Sequence, residues 1–322
     1  MHVTRTASQE ESDLLVTAAV MYYEHGASQK DIATRLGVSR PTVSRLLARA
    51  RDQGIVRIEI VPPNVDASLP DRLRDRLGLR RAHIAPGRAA EEEPGPVLAE
   101  PLGHALDEAE LAKGDVILVG WGRAVHSLSQ HVHRVHPGVV VVPAMGGNAS
   151  HRSCYQPNEI AREFAVALGA RPRFIHAPAL ISPALSESLR AEAALAETMD
   201  LWDRAKVALV GVGELPKSDS GYAAAGFPVD DAALETAVGD VAGWSFAADG
   251  RLLPHPGPKH FVGVTPRQLR RIPHVIALAS GVAKARAVIG AARAGLISVL
   301  VTDAATARAI STSLDAAEEA RQ

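Results

Sequence analysis

Two groups of residues in this chain have types and spacings that could do chemistry. The first is a concentration of positive charge near the amino terminus. From Arg35 to Arg57 there are six arginines (35, 40, 45, 49, 51 and 57) against one acid, Asp52, an excess of five. Arginines grouped in this way attract a phosphate backbone. The hydroxyls of Ser39, Thr42 and Ser44 among them are of the kind that reach base edges and phosphate oxygens. The second group consists of glycines and single charged residues that follow short apolar runs. Gly120, Gly122 and Arg123 follow VILV, Gly146, Gly147 and Asn148 follow VVVVPAM, Gly211 and Gly213 follow VALV, and Gly281 and Lys284 follow VIALAS. Glycine at such a place lets backbone approach a ligand, and a following helix start favours negative charge.

Other constellations are weaker. Of His126, His131, His133 and His136, only His126 and His133 fall on roughly one helical face, with no carboxylate or thiol in register, so no metal site is expected. Cys154 is the single cysteine; it excludes a disulfide framework and has no evident base beside it. Neither GWGRAV nor GVGELP completes G-x-G-x-x-G, and there is no P-loop. No cofactor is expected. Asp240, in GDVAGWSFAADG, could accept hydrogen bonds from sugar hydroxyls or simply stabilise a turn. Arg123 and Lys284 stand in the expected first turns of helices, where the macrodipole disfavours a cation. An anionic or polyhydroxylated ligand would offset that, and extension into solvent is the alternative.

The elements that must position the first group are three helices and a strand. Leu14, Leu15, Ala18, Ala19 and Tyr22 recur at helical spacing up to Gly26. Ser28 with Asp31 forms a capping-box arrangement for a helix that carries Ile32, Ala33 and Leu36 inward and ends at Gly37. Ser39 caps a third helix with Pro41 in its first turn and Val43, Leu46, Leu47 and Ala50 as its buried stripe. This is a helix-turn-helix whose second helix is free to enter a major groove. The DNA-contacting candidates are Ser28, Gln29, Ser39, Arg40, Thr42, Ser44, Arg45 and Arg49. IVRIEIV, from Ile55 to Val61, alternates like a half-exposed strand and could serve as a wing or lead into the next domain.

After Pro62-Pro63 the pattern changes. An amphipathic LPDRLRDRLGL is followed by apolar runs HIAP, VILV, VVVVP, FIHAPAL, VALV, VIAL and ISVLV, alternating with helical segments such as EIAREFAVALGA and KARAVIGAARAG. Runs without polar alternation suit strands buried on both faces. Strand-helix repetition implies a doubly wound, mostly parallel α/β sheet. The expected domains are 1–61 for DNA binding and 62–322 for effector binding and oligomerisation. The effector-contacting candidates are Gly120, Gly122, Arg123, Gly146, Gly147, Asn148, Asp240 and Lys284.

The 322 residues are 47% hydrophobic and 22% charged, which excludes wholesale disorder, and the even charge balance excludes a chain that is basic throughout. No apolar run is long enough to span a membrane, so a soluble, cytoplasmic protein is expected.

GDVILVGWGRAV, VVVPAMGGN, FIHAPAL, DRAKVALVGVG, GDVAGWSFAADG and the stretch IPHVIALASGVAKARAVIGAARAGLISVLVTDAATARAI, together with the helix-turn-helix, resemble the SorC-type sugar-binding transcriptional regulators over nearly the whole chain. The resemblance implies a winged helix-turn-helix joined to an effector domain similar to glucosamine-6-phosphate deaminase and ribose-5-phosphate isomerase. It also implies homodimers or homotetramers on a palindromic, double-stranded operator, nucleoid-associated when bound. By position it places Gly122, Arg123, Gly146, Gly147, Asp240 and Lys284 in the effector pocket. This sequence departs from the family at Ala124, where Thr or Ser is usual and its hydroxyl helps hold phosphate. It departs again at Met145, where some members have a lysine. The expected function is a ligand-responsive transcription factor, not an enzyme. An isomerase or deaminase carrying a DNA-binding domain is the alternative, and Asp240 is its one strong acidic candidate.

Overall fold

The computed structural model describes residues 7–53, 55–56, 66–87, 89, 93–148, 153–215, 235–255 and 260–319. The chain divides into two units between Val61 and Pro62.

In the first unit, α1 (Ala7–Ala19) runs into one widened π turn (Val20–Glu24), and α2 (Gln29–Leu36) and α3 (Arg40–Asp52) follow. Leu15, Ala18, Met21, Ile32, Val43, Leu46 and Leu47 form its core. Leu14 and Tyr22, expected on the buried stripe of the first helix, are both 37% exposed. The π turn shifts the phase of that face after Ala19, and Met21 takes the inward place. The expected wing strand falls mostly at 57–61, outside the described residues; Val56 N–H donates to the Ala50 carbonyl.

The second unit opens with α4 (Leu69–Leu77) and is built on a mostly parallel sheet. Its strands are β1 (Arg81–Ala85), β2 (Val116–Val119), β3 (Val140–Pro143), β4 (Arg171–Pro172), β5 (Ala205–Glu214), β6 (Ala237–Val241), β7 (Trp244–Ala247), β8 (His274–Ala279) and β9 (Val299–Asp303). The parallel order is β1-β9-β8-β5-β2-β3-β4, and β6 and β7 form an antiparallel hairpin on the end of β5.

The strand sequences explain why both faces are covered. Successive side chains point to opposite faces. Val116 and Leu118 of β2 join one core with Ala208 and Val210 of β5, while Ile117 and Val119 join the other with Val207 and Leu209. The first core is closed by α4, by α11 (Ala285–Arg293) and by α12 (Ala304–Glu319). The second is closed by α5 (Gly95–Glu108), α6 (Arg123–Ser129) and α7 (Pro157–Ala167). Three smaller helices are α8 (Pro183–Ala191), α9 (Ala193–Asp200) and α10 (Pro266–Leu269).

One expectation needs correction. FIHAPAL does not form a strand: β4 ends at Pro172, and Ile175 exchanges its N–H and carbonyl bonds with the Asn158 side chain at 2.9 and 3.0 Å instead of with a neighbouring strand. Pro178 limits the segment to isolated bridges with Gly147 and, at Leu180, with Phe261. GDVAGWSFAADG forms the β6–β7 hairpin, with Asp240 on β6 and its carboxylate accepting the Gly243 N–H of the turn.

Candidate functional site

The helix-turn-helix is held by its caps. The Ser28 hydroxyl accepts the Asp31 N–H at 3.3 Å and donates to the Asp31 carboxylate at 2.6 Å. Ser39 accepts the Thr42 N–H at 3.3 Å, and the Ser39 and Thr42 hydroxyls share a 2.7 Å bond. Gly37, at φ +66°, makes the left-handed turn between the helices, a conformation that costs a residue with Cβ. Buried Val43, Leu46 and Leu47 fix the rotation of α3, so Arg40, Ser44, Arg45 and Arg49 point to solvent. Gln29 and Thr42 are half-buried and Ser28 and Ser39 exposed. Thus Ser28 and Ser39 position the helices, and the arginines with Ser44 form the accessible face. Arg57 lies outside the described residues.

In the second unit the chain builds β2, β3 and β4 outward on one side of β2, then places β5 on its other side and continues through β8 and β9. The direction of winding therefore reverses between β2 and β5, the place where open α/β sheets bind ligands beyond their carboxyl ends. Residues 120–123, 144–148 and 280–284 follow β2, β3 and β8 on this one edge, where 211–214 end β5 and β6 pairs with them.

The closest grouping on that edge is Asp240, Gly213, Val212 and Lys284. Lys284 ends a short 3-10 turn (Val282–Lys284) before α11, and its Nζ donates to the Val212 carbonyl at 2.7 Å. Asp240, 6% exposed, packs its carboxylate against Gly213 so closely that a Cβ there would lie 1.9 Å from Oδ1. The Gly243 N–H donates to Asp240 Oδ2 at 3.3 Å. Burial pushes the Asp240 carboxyl up to about 6, against the lowering effects of the Gly243 bond and the Lys284 charge. The pair is thus a buried acceptor and a half-buried cation at the carboxyl edge of the sheet.

The glycines act by permitting close approach. Gly120, Gly146 and Gly147 donate their N–H groups to Leu209, Val262 and Ala177 at 2.8, 2.9 and 2.9 Å, so these amides are already engaged within the protein. A Cβ on Gly146 would lie 2.4 Å from the Ala177 carbonyl. Asn148 is tied to Gln156, whose Nε2 donates to the Asn148 carbonyl at 3.1 Å and to its Oδ1 at 3.2 Å, and Asn148 Nδ2 donates to the Tyr155 carbonyl. Gly122, at φ +112°, caps α6, and Arg123 is exposed at the first position of that helix. The hairpin is anchored to the β3 end through Val264, which accepts from Trp244 Nε1 at 2.8 Å and donates its own N–H to the Ala144 carbonyl.

Sequence reasoning missed a buried cluster beside Lys284. Ser280 donates to Asp303 Oδ2 at 2.9 Å, Thr306 donates to the same oxygen at 2.8 Å, and Thr306 Oγ1 accepts the Gly281 N–H at 2.9 Å. Asp303 Oδ1 accepts the N–H groups of Ala305 and Thr306. The signal was present as an Asp at a strand-helix junction with Thr three residues on. The histidines do not gather: α6 ends at Ser129, so His133 is off the helix and exposed, and His126 contacts Glu163 at 3.1 Å. No group of three metal-ligating side chains occurs among the described residues, nor is any described helix long and apolar enough to cross a membrane. Cys154 is half-buried in a 3-10 turn, Ser153–Tyr155.

Comparison with known proteins bears on both units. Residues 61–311 match the Sugar-bind family of sugar-binding domains, and residues 18–64 match the MarR family. The chain is 30% identical over 302 residues to the sorbitol operon regulator of Klebsiella pneumoniae, covering 91% of this chain and 96% of that protein. It is 28% identical to the deoxyribonucleoside regulator of Bacillus subtilis, covering 94% and 98%. The crystal structure of the full-length sorbitol operon regulator SorC from Klebsiella pneumoniae matches with a TM-score of 0.65 at 29% identity, covering 93% of this chain and 98% of that one.

Proposed function

The chain belongs to the SorC-type family of sugar-binding transcriptional regulators, and on that premise we propose that it controls carbohydrate or polyol metabolism as a ligand-responsive DNA-binding protein. Its operator affinity is set by a sugar, polyol or sugar phosphate bound beyond the ends of β2, β5 and β8. The observation that carries this reading is the presence, on one chain, of a capped helix-turn-helix and of Asp240 with Lys284 at the switch-point edge of the sheet. The similar proteins are named as regulators, not enzymes. Among the described residues no second carboxylate acts on Asp240, which also gives little support to acid-base turnover.

The finer elements of the reading are a wing formed by the strand expected at 55–61 and an effector fold like that of glucosamine-6-phosphate deaminase and ribose-5-phosphate isomerase. The protein acts as a homodimer or homotetramer, in the cytoplasm and on the nucleoid. Two copies present two recognition helices to a palindromic operator, and half-site spacing follows from their separation. Effector binding favours one arrangement of the oligomer. A coupling of about 1–3 kcal/mol changes operator affinity roughly 5- to 150-fold.

Among effectors we favour an unphosphorylated polyol or sugar. Ala124 brings a buried methyl group to the start of α6 in place of a hydroxyl, and Met145 brings a buried thioether in place of an amine. A relative named for the sorbitol operon fits this choice. The exposed Arg123 beside them is what a phosphorylated ligand would use.

A thermal-shift screen with matched pairs of sugars and polyols and their phosphates tests both levels. Ligand at about 100 times its Kd adds roughly 2.7 kcal/mol to stability. Stabilisation by free polyols or sugars alone supports the proposal. Stabilisation by phosphates alone overturns the effector class, and stabilisation by none overturns the pocket.

A further inference from the structure

The buried cluster beside Lys284 has a role beyond capping a helix. α12 is 16 residues long, and at about 1.5 Å per residue it spans some 24 Å. At its amino end, Asp303 and Thr306 hold the turn at 281–284 from which Lys284 reaches Val212. Ser280, Asp303 and Thr306 are all buried there. Gly281, at φ +113°, takes a conformation open to glycine and disfavoured for other residues, and its N–H bond to Thr306 holds it there.

At its carboxy end, α12 is tied to a different element. Arg76 of α4 makes ion pairs with Asp315 and with Glu318, the latter at 2.8 Å, and its side chain is 22% exposed. Along the same side, Ala307, Ile310 and Leu314 share one core with Leu73 and Leu77. α4 is the first described helix after the boundary at Val61 and Pro62. One helix with a single buried face therefore contacts the Lys284 turn and α4.

We propose that α12 is a strut coupling the turn at 281–284 to α4, with Asp303 and Thr306 as positioning residues at one end and Arg76, Asp315 and Glu318 as the tie at the other. Resting on the regulator reading above, the strut is the route by which effector at Lys284 is felt at α4. Contiguity alone does not establish coupling, which requires that a change at one end alter the equilibrium at the other.

The test uses local lesions and needs no effector. Amide hydrogen exchange is followed by mass spectrometry on the full chain and on the variants Thr306→Val, Thr306→Ser and Arg76→Gln. The strut predicts that T306V speeds exchange across α4, and that R76Q speeds exchange at 281–285, each by about threefold or more. T306S, which keeps the hydroxyl, leaves α4 at the wild-type rate. Peptides from α5 and β2 report global stability and stay unchanged in R76Q. The proposal is overturned if either lesion speeds exchange only in its own element, or if T306S acts like T306V. If T306V raises exchange everywhere, R76Q alone decides, by the response of the distant turn. This result is independent of the ligand screen, so a failed strut and a failed effector pocket are told apart.

Discussion

Burial raises the Asp240 carboxyl from an ordinary 3.8 to about 6, which makes this residue costly to the fold at neutral pH. Between those values the native state holds a proton that the unfolded chain has released. Stability therefore falls as pH rises through the window, and the cost is complete above about 6. Asp240→Asn should relieve it, gaining up to about 3 kcal/mol at pH 8 and little at pH 3.5, as read by urea unfolding. An equal gain at both values would mean that the carboxylate is not held in the low-dielectric setting described. The same variant should lose its response to effector, because the anionic acceptor beside Lys284 is gone. A residue kept at a cost to stability, at the carboxyl edge of the sheet, is what a binding site is expected to contain.

At the scale of elements, the helix-turn-helix depends on the capping bonds of Ser28 and Ser39. Ser39→Ala removes the bond to the Thr42 N–H and should cost about 1 kcal/mol, whereas Ser39→Gly should cost only a few tenths. Circular dichroism of thermal unfolding would resolve the difference in the first unit's transition. If Ala and Gly were equivalent, the cap would not be what holds α3. The hairpin β6–β7 depends instead on long-range pairing. Asp240 is aligned with Gly213 by register, and a Cβ at Gly213 would collide with the carboxylate. Helix caps are local and can be read from four residues; strand register between positions 27 apart cannot.

For the whole molecule, the two activities should separate by mutation. Arg45→Ala should weaken operator binding by about 1–3 kcal/mol if it contacts a base, or lower the salt slope by about one if it contacts phosphate, with effector binding unchanged. Lys284→Met should leave operator binding intact and abolish the response to effector. Fluorescence anisotropy with operator DNA and calorimetry with effector would measure both variants. Loss of both activities in both variants would contradict the division at Val61 and Pro62 as a functional one.

The sequence by itself determined the local structure and the family. Caps at Ser28 and Ser39, the turn at Gly37, the stripe Val43, Leu46 and Leu47, and the apolar runs that became β2, β3, β5, β8 and β9 are written in residue types at short spacing, where backbone and side-chain preferences act directly. Lys284 and Asp240 were legible as candidates because each follows or lies among glycines near an apolar run. Tertiary structure alone decided what they touch. Asp240 and Lys284 are 44 positions apart and meet only because β6 folds back on β5 while β8 pairs with its other edge. The amides of Gly120, Gly146 and Gly147 were spent on neighbouring carbonyls that no spacing rule reveals. Arg76 and Asp315 lie 239 residues apart, and their pairing follows from the order in which the strands close the sheet. Contacts of this kind depend on chain topology and on the shape of the packed core, which one-dimensional pattern does not encode.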